Sequence, residues 1–181
     1  VCKRYHVAKD AEITLEANPE SAGDWKALKA LRKAGFNRLS LGMQSASDAE
    51  LQHIGRVHTM AQVTAAVEAA RKARFESLSL DLIYGLPGQS AEQWQENLSA
   101  AVSLAPEHLS CYGLKVEPGT PLYARQAEED LPDDEAQADM YLYTVEYLAQ
   151  NGYAQYEISN FARPGRESRH NLKYWTLQEY A

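Results

Sequence analysis

Apolar and polar positions alternate in four short runs along the chain, Glu12–Ala17, Arg38–Gln44, Ser77–Tyr84 and His108–Leu114. Each run reads as a β-strand, and each is followed by a segment with helical periodicity. In the first run Ile13, Leu15 and Ala17 share one face and Thr14 and Glu16 the other. The second sets Leu39, Leu41 and Met43 against Ser40, Gly42 and Gln44, and the third sets Leu78, Leu80 and Leu82 against Ser77, Ser79 and Asp81. The fourth breaks this parity, with Leu109 and Leu114 on opposite faces.

The helical segments carry their own punctuation. Ser47 with Glu50, Thr59 with Gln62 and Ser90 with Gln93 have the capping-box spacing, in which a hydroxyl and a carboxylate or amide satisfy backbone N–H groups reciprocally. Val63, Ala66, Val67 and Ala70 form one apolar stripe, and Trp94, Leu98 and Val102 another. An earlier helix near Gly23–Ala34 carries Trp25, Leu28 and Leu31 and ends at Gly35, a left-handed cap. A fifth, near Asp134–Asn151, ends at Gly152.

Strands alternating with helices predict right-handed βαβ units and a parallel sheet. Such strands are normally apolar on both faces; these have one greasy face and one polar or small face. A closed eight-stranded barrel fills its interior with branched aliphatics. The polar inner face predicts instead an open or partial barrel whose lumen holds a polar ligand, with Glu16, Gln44 and Asp81 facing it. A one-sided sheet wetted by solvent is the alternative, awkward because crossover helices tend to cover parallel sheets.

Composition narrows the picture. The 181 residues carry 18 basic and 25 acidic side chains, a formal net charge of -7, which argues against broad binding to nucleic acid or anionic membranes. No run of 18 apolar residues predicts a transmembrane helix. The N-terminus, Val1-Cys2-Lys3-Arg4-Tyr5-His6, has no apolar stretch of signal-peptide type and no initiator Met, so the chain is expected to begin within a longer protein. Two cysteines, Cys2 and Cys111, make neither a disulfide framework nor a four-thiolate metal site, and reduced thiols in a cytoplasmic setting are expected.

Candidate chemistry is sparse when motifs are taken singly. The common nucleotide loops are absent, and Gly85-Leu86-Pro87-Gly88-Gln89 reads alone as a strand-to-helix turn. The histidines have no metal spacing, and structural or surface roles are expected for His6, His53, His58 and His108. Cys111 reads as a small core residue. Near the C-terminus Tyr156–Ala162 reads as a strand, Arg163-Pro164-Gly165 as a turn, and the run ending His170-Asn171-Leu172-Lys173-Tyr174-Trp175 as a second extended segment of a hairpin. That aromatic run is read either as strand packing or as an axial ligand with flanking rings for a flat macrocycle such as haem.

Several of these motifs together resemble a known family. Glu12-Ile13-Thr14-Leu15-Glu16-Ala17-Asn18-Pro19, Arg38-Leu39-Ser40-Leu41-Gly42-Met43-Gln44-Ser45 and Asp81-Leu82-Ile83-Tyr84-Gly85-Leu86-Pro87-Gly88-Gln89 are similar to the third, fourth and fifth strand motifs of radical S-adenosylmethionine (SAM) proteins of the oxygen-independent coproporphyrinogen III oxidase family. Tyr156–Phe161 and His170–Trp175, an H-N-x-x-Y-W signature, resemble its haem-chaperone branch.

The resemblance implies a partial (β/α)6 barrel binding SAM and a [4Fe–4S] cluster. Residues 1–152 would supply strands three to six of that barrel, without its first two strands. Residues 153–181 would form a small β extension leading toward a C-terminal region. By position Glu16, Gln44, Arg56, Asp81 and Lys115 correspond to SAM contacts, and His170 to a haem-iron ligand beside Tyr174 and Trp175. The cluster loop C-x-x-x-C-x-x-C and the Gly-rich second-strand motif do not occur in this sequence, so no cluster and no SAM cleavage are expected of this chain alone. The function implied is a haem chaperone that binds SAM and haem and hands haem to acceptor proteins. An oxygen-independent coproporphyrinogen III dehydrogenase, and a metabolite-binding α/β domain without redox chemistry, are the alternatives.

Overall fold

The computed structural model describes Arg4 and residues 6–179. Cys2 lies outside the described residues. Six strands form one sheet: β1 (Thr14–Ala17), β2 (Arg38–Gln44), β3 (Ser77–Tyr84), β4 (His108–Gly113), β5 (Ala154–Gln155) and β6 (Asn160–Ala162). Their order is β1-β2-β3-β4-β6-β5. The first four run parallel, and β6 and β5 add antiparallel to the far edge. The sheet does not close into a barrel. Among the described residues seven α-helices accompany it: α1 (Trp25–Ala34), α2 (Asp48–His53), α3 (Met60–Ala73), α4 (Ala91–Ser103), α5 (Pro121–Arg125), α6 (Asp134–Gln150) and α7 (Arg169–Trp175).

The helices start and stop where local chemistry requires. Thr59 and Ser90 make full capping boxes with Gln62 and Gln93. α1 ends at Gly35 with φ of 115°, where Phe36 N–H reaches Leu31 O. α6 ends the same way at Gly152, with Tyr153 N–H on Leu148 O. In both cases the left-handed residue lets the chain turn back and satisfy carbonyls of the last helical turn. The Ser47 box forms only by half. Ser47 Oγ accepts from Glu50 N–H, but the Glu50 carboxylate turns into the core, where Ser45, Gln89 and Asn97 donate to it.

The apolar face of the sheet is covered by α1, α3, α4 and α6. Leu39, Leu41, Met43, Leu78, Leu80, Leu82 and Leu109 are fully buried there against Val63, Ala66, Trp94 and Leu98. Trp94 closes the layer by donating its indole N–H to Thr144 Oγ1 at 2.9 Å. Cys111 is a core residue as expected, and burial pushes its thiol well above the ordinary value. The parity break in β4 has a simple cause: the strand ends at Gly113, so Leu114 belongs to the following loop.

The C-terminal expectation needs correction. Tyr156–Ala162 is not one strand: residues 156–159 make a bend that joins β5, which ends at Gln155, to the short β6. The run His170–Trp175 is not extended and makes no hairpin; it is α7, capped by the Ser168 hydroxyl on Asn171 N–H. A hydroxyl at the N-cap satisfies an otherwise orphaned amide, and the Glu12 carboxylate accepts the N–H groups of Arg169 and His170. Those long-range partners are absent from the local sequence pattern, which is why that pattern pointed the wrong way.

Candidate functional site

The face of the sheet opposite the helices is polar. Adjacent strands are in register there, with Glu16 beside Ser40, Ser40 beside Ser79 and Asp81 beside Ser110. Asp81 is the centre of this surface. Ser40 Oγ donates to its two oxygens at 3.2 and 3.0 Å, and Ser79 Oγ reaches it at 3.4 Å. Burial raises its pKa, while hydrogen bonds from Ser110 and Ser40 and the charge of Arg38 oppose that rise. A desolvated carboxylate with hydroxyl donors on one side is suited to take a cationic or hydroxyl group of a ligand on the other.

A directed chain of hydrogen bonds leads away from Asp81. His108 is fully buried at the start of β4, with Nδ1 2.8 Å from Ser79 Oγ and Nε2 2.7 Å from the Tyr156 hydroxyl. Tyr156 Oη also accepts from Ser168 N–H at 3.3 Å and Asn171 Nδ2 at 3.4 Å. With both lone pairs engaged, its own proton points to His108 Nε2, so Nδ1 carries the ring proton toward Ser79. Burial, helped by Arg38, pushes the His108 pKa down to about 3, which keeps the ring neutral. Burial also pushes Tyr156 up to about 12. Asp81 and the first turn of α7 are thereby parts of one network.

The five residues aligned with SAM contacts fall in different settings. Gln44 sits at a register shift in β2 with φ of 65°. The bulge folds its amide over Gly42, where an added Cβ would come within 2.7 Å of Nε2. Glu16 is exposed at β1, close enough for its charge to act on Asp81. Arg56 is exposed in the loop after α2, its N–H donating to Leu51 O at 2.8 Å. Lys115 follows β4 and ion pairs with Glu117 at 2.7 Å. Glu16, Gln44 and Asp81 therefore share the polar face, while no hydrogen bond or ion pair among the described residues joins Arg56 or Lys115 to them.

His170 lies at the other end of the surface. It lines a cleft of about 790 Å³ between β1 and α7, together with Glu12, Glu16, Arg38 and Lys173. Its ring meets Tyr174 edge-on at 5.1 Å between centroids. Tyr174 and Trp175 are 48% and 56% exposed. Sequence reasoning missed Arg38, His108 and Tyr156. The parity that selected Asp81 also placed Arg38 on the polar face, and that signal was there to be used. Nothing local showed that His108 would meet Tyr156.

The donor set bears on the implied cofactors. Among the described residues no group of three His, Cys, Asp or Glu side chains could hold a metal, and the one described cysteine is sealed in the core. These residues do not fit a [4Fe–4S] cluster. The polar face does fit a small zwitterionic ligand, because it offers desolvated acceptors at Asp81 and an amide at Gln44.

A one-sided α/β half-barrel with a ligand-ready polar face is the class defined by this fold and site. Residues 1–101 match the Radical SAM superfamily, and the chain belongs to it. Within it, the chain is 44% identical over 172 residues to "Heme chaperone HemW" of Bacillus subtilis, covering 94% of this chain and 45% of that protein. It is 40% identical over 177 residues to the Escherichia coli protein of the same name, covering 98% and 46%. Mouse "Radical S-adenosyl methionine domain-containing protein 1, mitochondrial" is 41% identical over 182 residues, covering 99% and 41%. The chain thus spans less than half the length of these relatives.

Among solved structures, the Escherichia coli coproporphyrinogen III oxidase HemN, described as a radical SAM enzyme, superposes with a TM-score of 0.80 at 30% identity, over 97% of this chain and 40% of that one. The archaeal Methanocaldococcus infernus Elp3 matches at 0.67 and 22% identity, which shows shared fold alone. No helix among the described residues is long and apolar enough to cross a membrane.

Proposed function

We propose that this chain is the SAM-facing and haem-facing part of a radical SAM haem chaperone. The observation that carries the reading is the junction of two surfaces. A polar face centred on Asp81 runs through Ser79, His108 and Tyr156 into the helix that presents His170 beside exposed Tyr174 and Trp175. Supporting it, relatives named haem chaperones align over more than nine-tenths of the chain.

SAM would be held by the acceptors at Asp81 and Glu16 and the amide of Gln44, with Arg56 and Lys115 as further contacts. A guanidinium such as Arg56 suits a carboxylate. Haem, when bound, would supply the iron; His170 would offer a ring nitrogen, and Tyr174 and Trp175 flat apolar surface. Acceptor proteins for the haem and a cytoplasmic setting belong to the same reading. The [4Fe–4S] cluster would require ligands other than the described residues.

Titration with haem followed at the Soret band tests this. The wild-type chain should shift the band, and His170→Ala should weaken binding and change the spectrum; an unchanged affinity and spectrum in that variant refutes the ligand assignment. Calorimetry with SAM should show heat that Asp81→Asn abolishes. A second reading, coproporphyrinogen III dehydrogenase, is favoured by the superposition on HemN. Decarboxylated product formed from coproporphyrinogen III by the cluster-loaded, anaerobic full-length protein would establish it.

A further inference from the structure

Arg38 opens β2 on the polar face and lines the cleft that His170 also lines. Its residue is only 6% exposed, yet its buried Nε has no hydrogen-bond partner. No carboxylate lies within ion-pair reach of its guanidinium among the described residues. The neighbouring acids are otherwise engaged or displaced. Asp10 pairs with Arg169, Glu12 accepts the first amides of α7, and Glu16 is exposed. Asp81 acts on Arg38 only through space. His108 and Tyr156, which also feel its charge, are held neutral by burial.

A buried, always-charged and unpaired guanidinium is unfavourable in the folded chain. Buried charges are ordinarily paired, and here the missing counter-charge can come from an anion in the cleft. The planar fork of arginine matches a carboxylate through two parallel N–H donors. Lys173 adds a second cation at the rim of the same cleft, three residues after His170 and so on the same side of α7. We propose that Arg38, assisted by Lys173, is a receptor for a carboxylate substituent of the ligand held at His170, which for a porphyrin is a propionate group. The inference rests on the haem reading for the ligand's identity, but the carboxylate site stands on Arg38 itself.

The test separates the two. Haem and its dimethyl ester, in which the propionates are capped, are titrated into the wild-type chain, Arg38→Met and Lys173→Met, following the Soret band. Wild type should bind haem roughly tenfold more tightly than the ester, the scale of one charge-assisted hydrogen bond. Arg38→Met should abolish that gap while leaving the Soret position, set by His170, unchanged. Lys173→Met should narrow it. Equal affinities for acid and ester in the wild type, or a gap that survives in Arg38→Met, overturns the assignment.

Failure of wild type to bind either compound sinks the haem reading and the propionate assignment together. Thermal melts then decide the carboxylate site. Ligand-free Arg38→Met should melt at or above the wild-type temperature, because a frustrated charge is removed, and sodium propionate should raise the wild-type midpoint alone. A lower melt for Arg38→Met with no propionate shift in wild type overturns the site as well.

Discussion

Acidification should strike this fold at His108. The imidazole is fully buried between Ser79 and Tyr156, and burial together with Arg38 lowers its pKa from 6.5 to about 3. The folded chain therefore binds fewer protons there than the unfolded chain between these two values. Stability is fully present above pH 6.5 and is lost as pH falls toward 3. At about 1.36 kcal/mol per pH unit, the interval from 6.5 to about 3 comes to about 5 kcal/mol. That is comparable to the whole stability of a marginal domain, about 5–15 kcal/mol.

Between pH 7 and pH 4.5 the loss attributable to this one ring is about 3 kcal/mol. Urea unfolding at the two pH values, in wild type and in His108→Gln, measures it. The substitution costs stability at both pH values, but it removes the titration, so the pH-dependent difference should shrink by about 2–3 kcal/mol. Carboxylates outside the Ser79–Asp81 network contribute equally to both proteins and cancel. An identical pH dependence in the two proteins would refute the claim that a neutral, hydrogen-bonded His108 bridges β4 and α7.

Three further outcomes follow from named contacts. Glu50→Ala leaves the Gln89 and Asn97 amides without this acceptor and the Ser45 hydroxyl with Asn97 Oδ1 alone, and should cost about 3 kcal/mol or more in urea unfolding; a loss under 1 kcal/mol means the buried carboxylate is not their anchor. Trp94→Phe removes the indole donor to Thr144 and leaves a void between α4 and α6, so the chain should lose about 2 kcal/mol with its helical dichroism intact. Arg74 ends α3 at φ of 66° without being glycine; Arg74→Gly should gain about 0.5–1 kcal/mol, read as a higher melting temperature, because strain relief exceeds the added freedom of the unfolded chain.

Much of this protein was legible along the chain. Period-two alternation located β1 to β4 and put Ser40, Ser79 and Asp81 on one face, because side-chain direction in a strand depends only on parity. Thr59, Ser90, Gly35 and Gly152 marked helix ends, because caps are satisfied within a few residues. Family resemblance, carried by ordered motifs rather than any single one, led to the Radical SAM superfamily, which the match over residues 1–101 supports.

Tertiary structure decided the rest. Glu50 has capping-box spacing, but a buried polar cluster from α4 and the loop after β3 claimed its carboxylate. The run at 170–175 reads as the second arm of a hairpin because it follows a Pro-Gly turn, yet it is helical because Ser168 and Glu12, the latter more than 150 residues away in sequence, satisfy its first amides. His108 carries no local sign of its role; only the antiparallel return of β6 and the placement of Tyr156 make it a neutral bridge. Arg38 lies in a strand whose parity is plain, but the fact that folding buries its guanidinium without a counter-charge follows from the distances among β2, β3 and α7. Parity and caps are short-range and survive in one dimension, whereas charge pairing and desolvation depend on which distant groups the fold brings within a few ångströms.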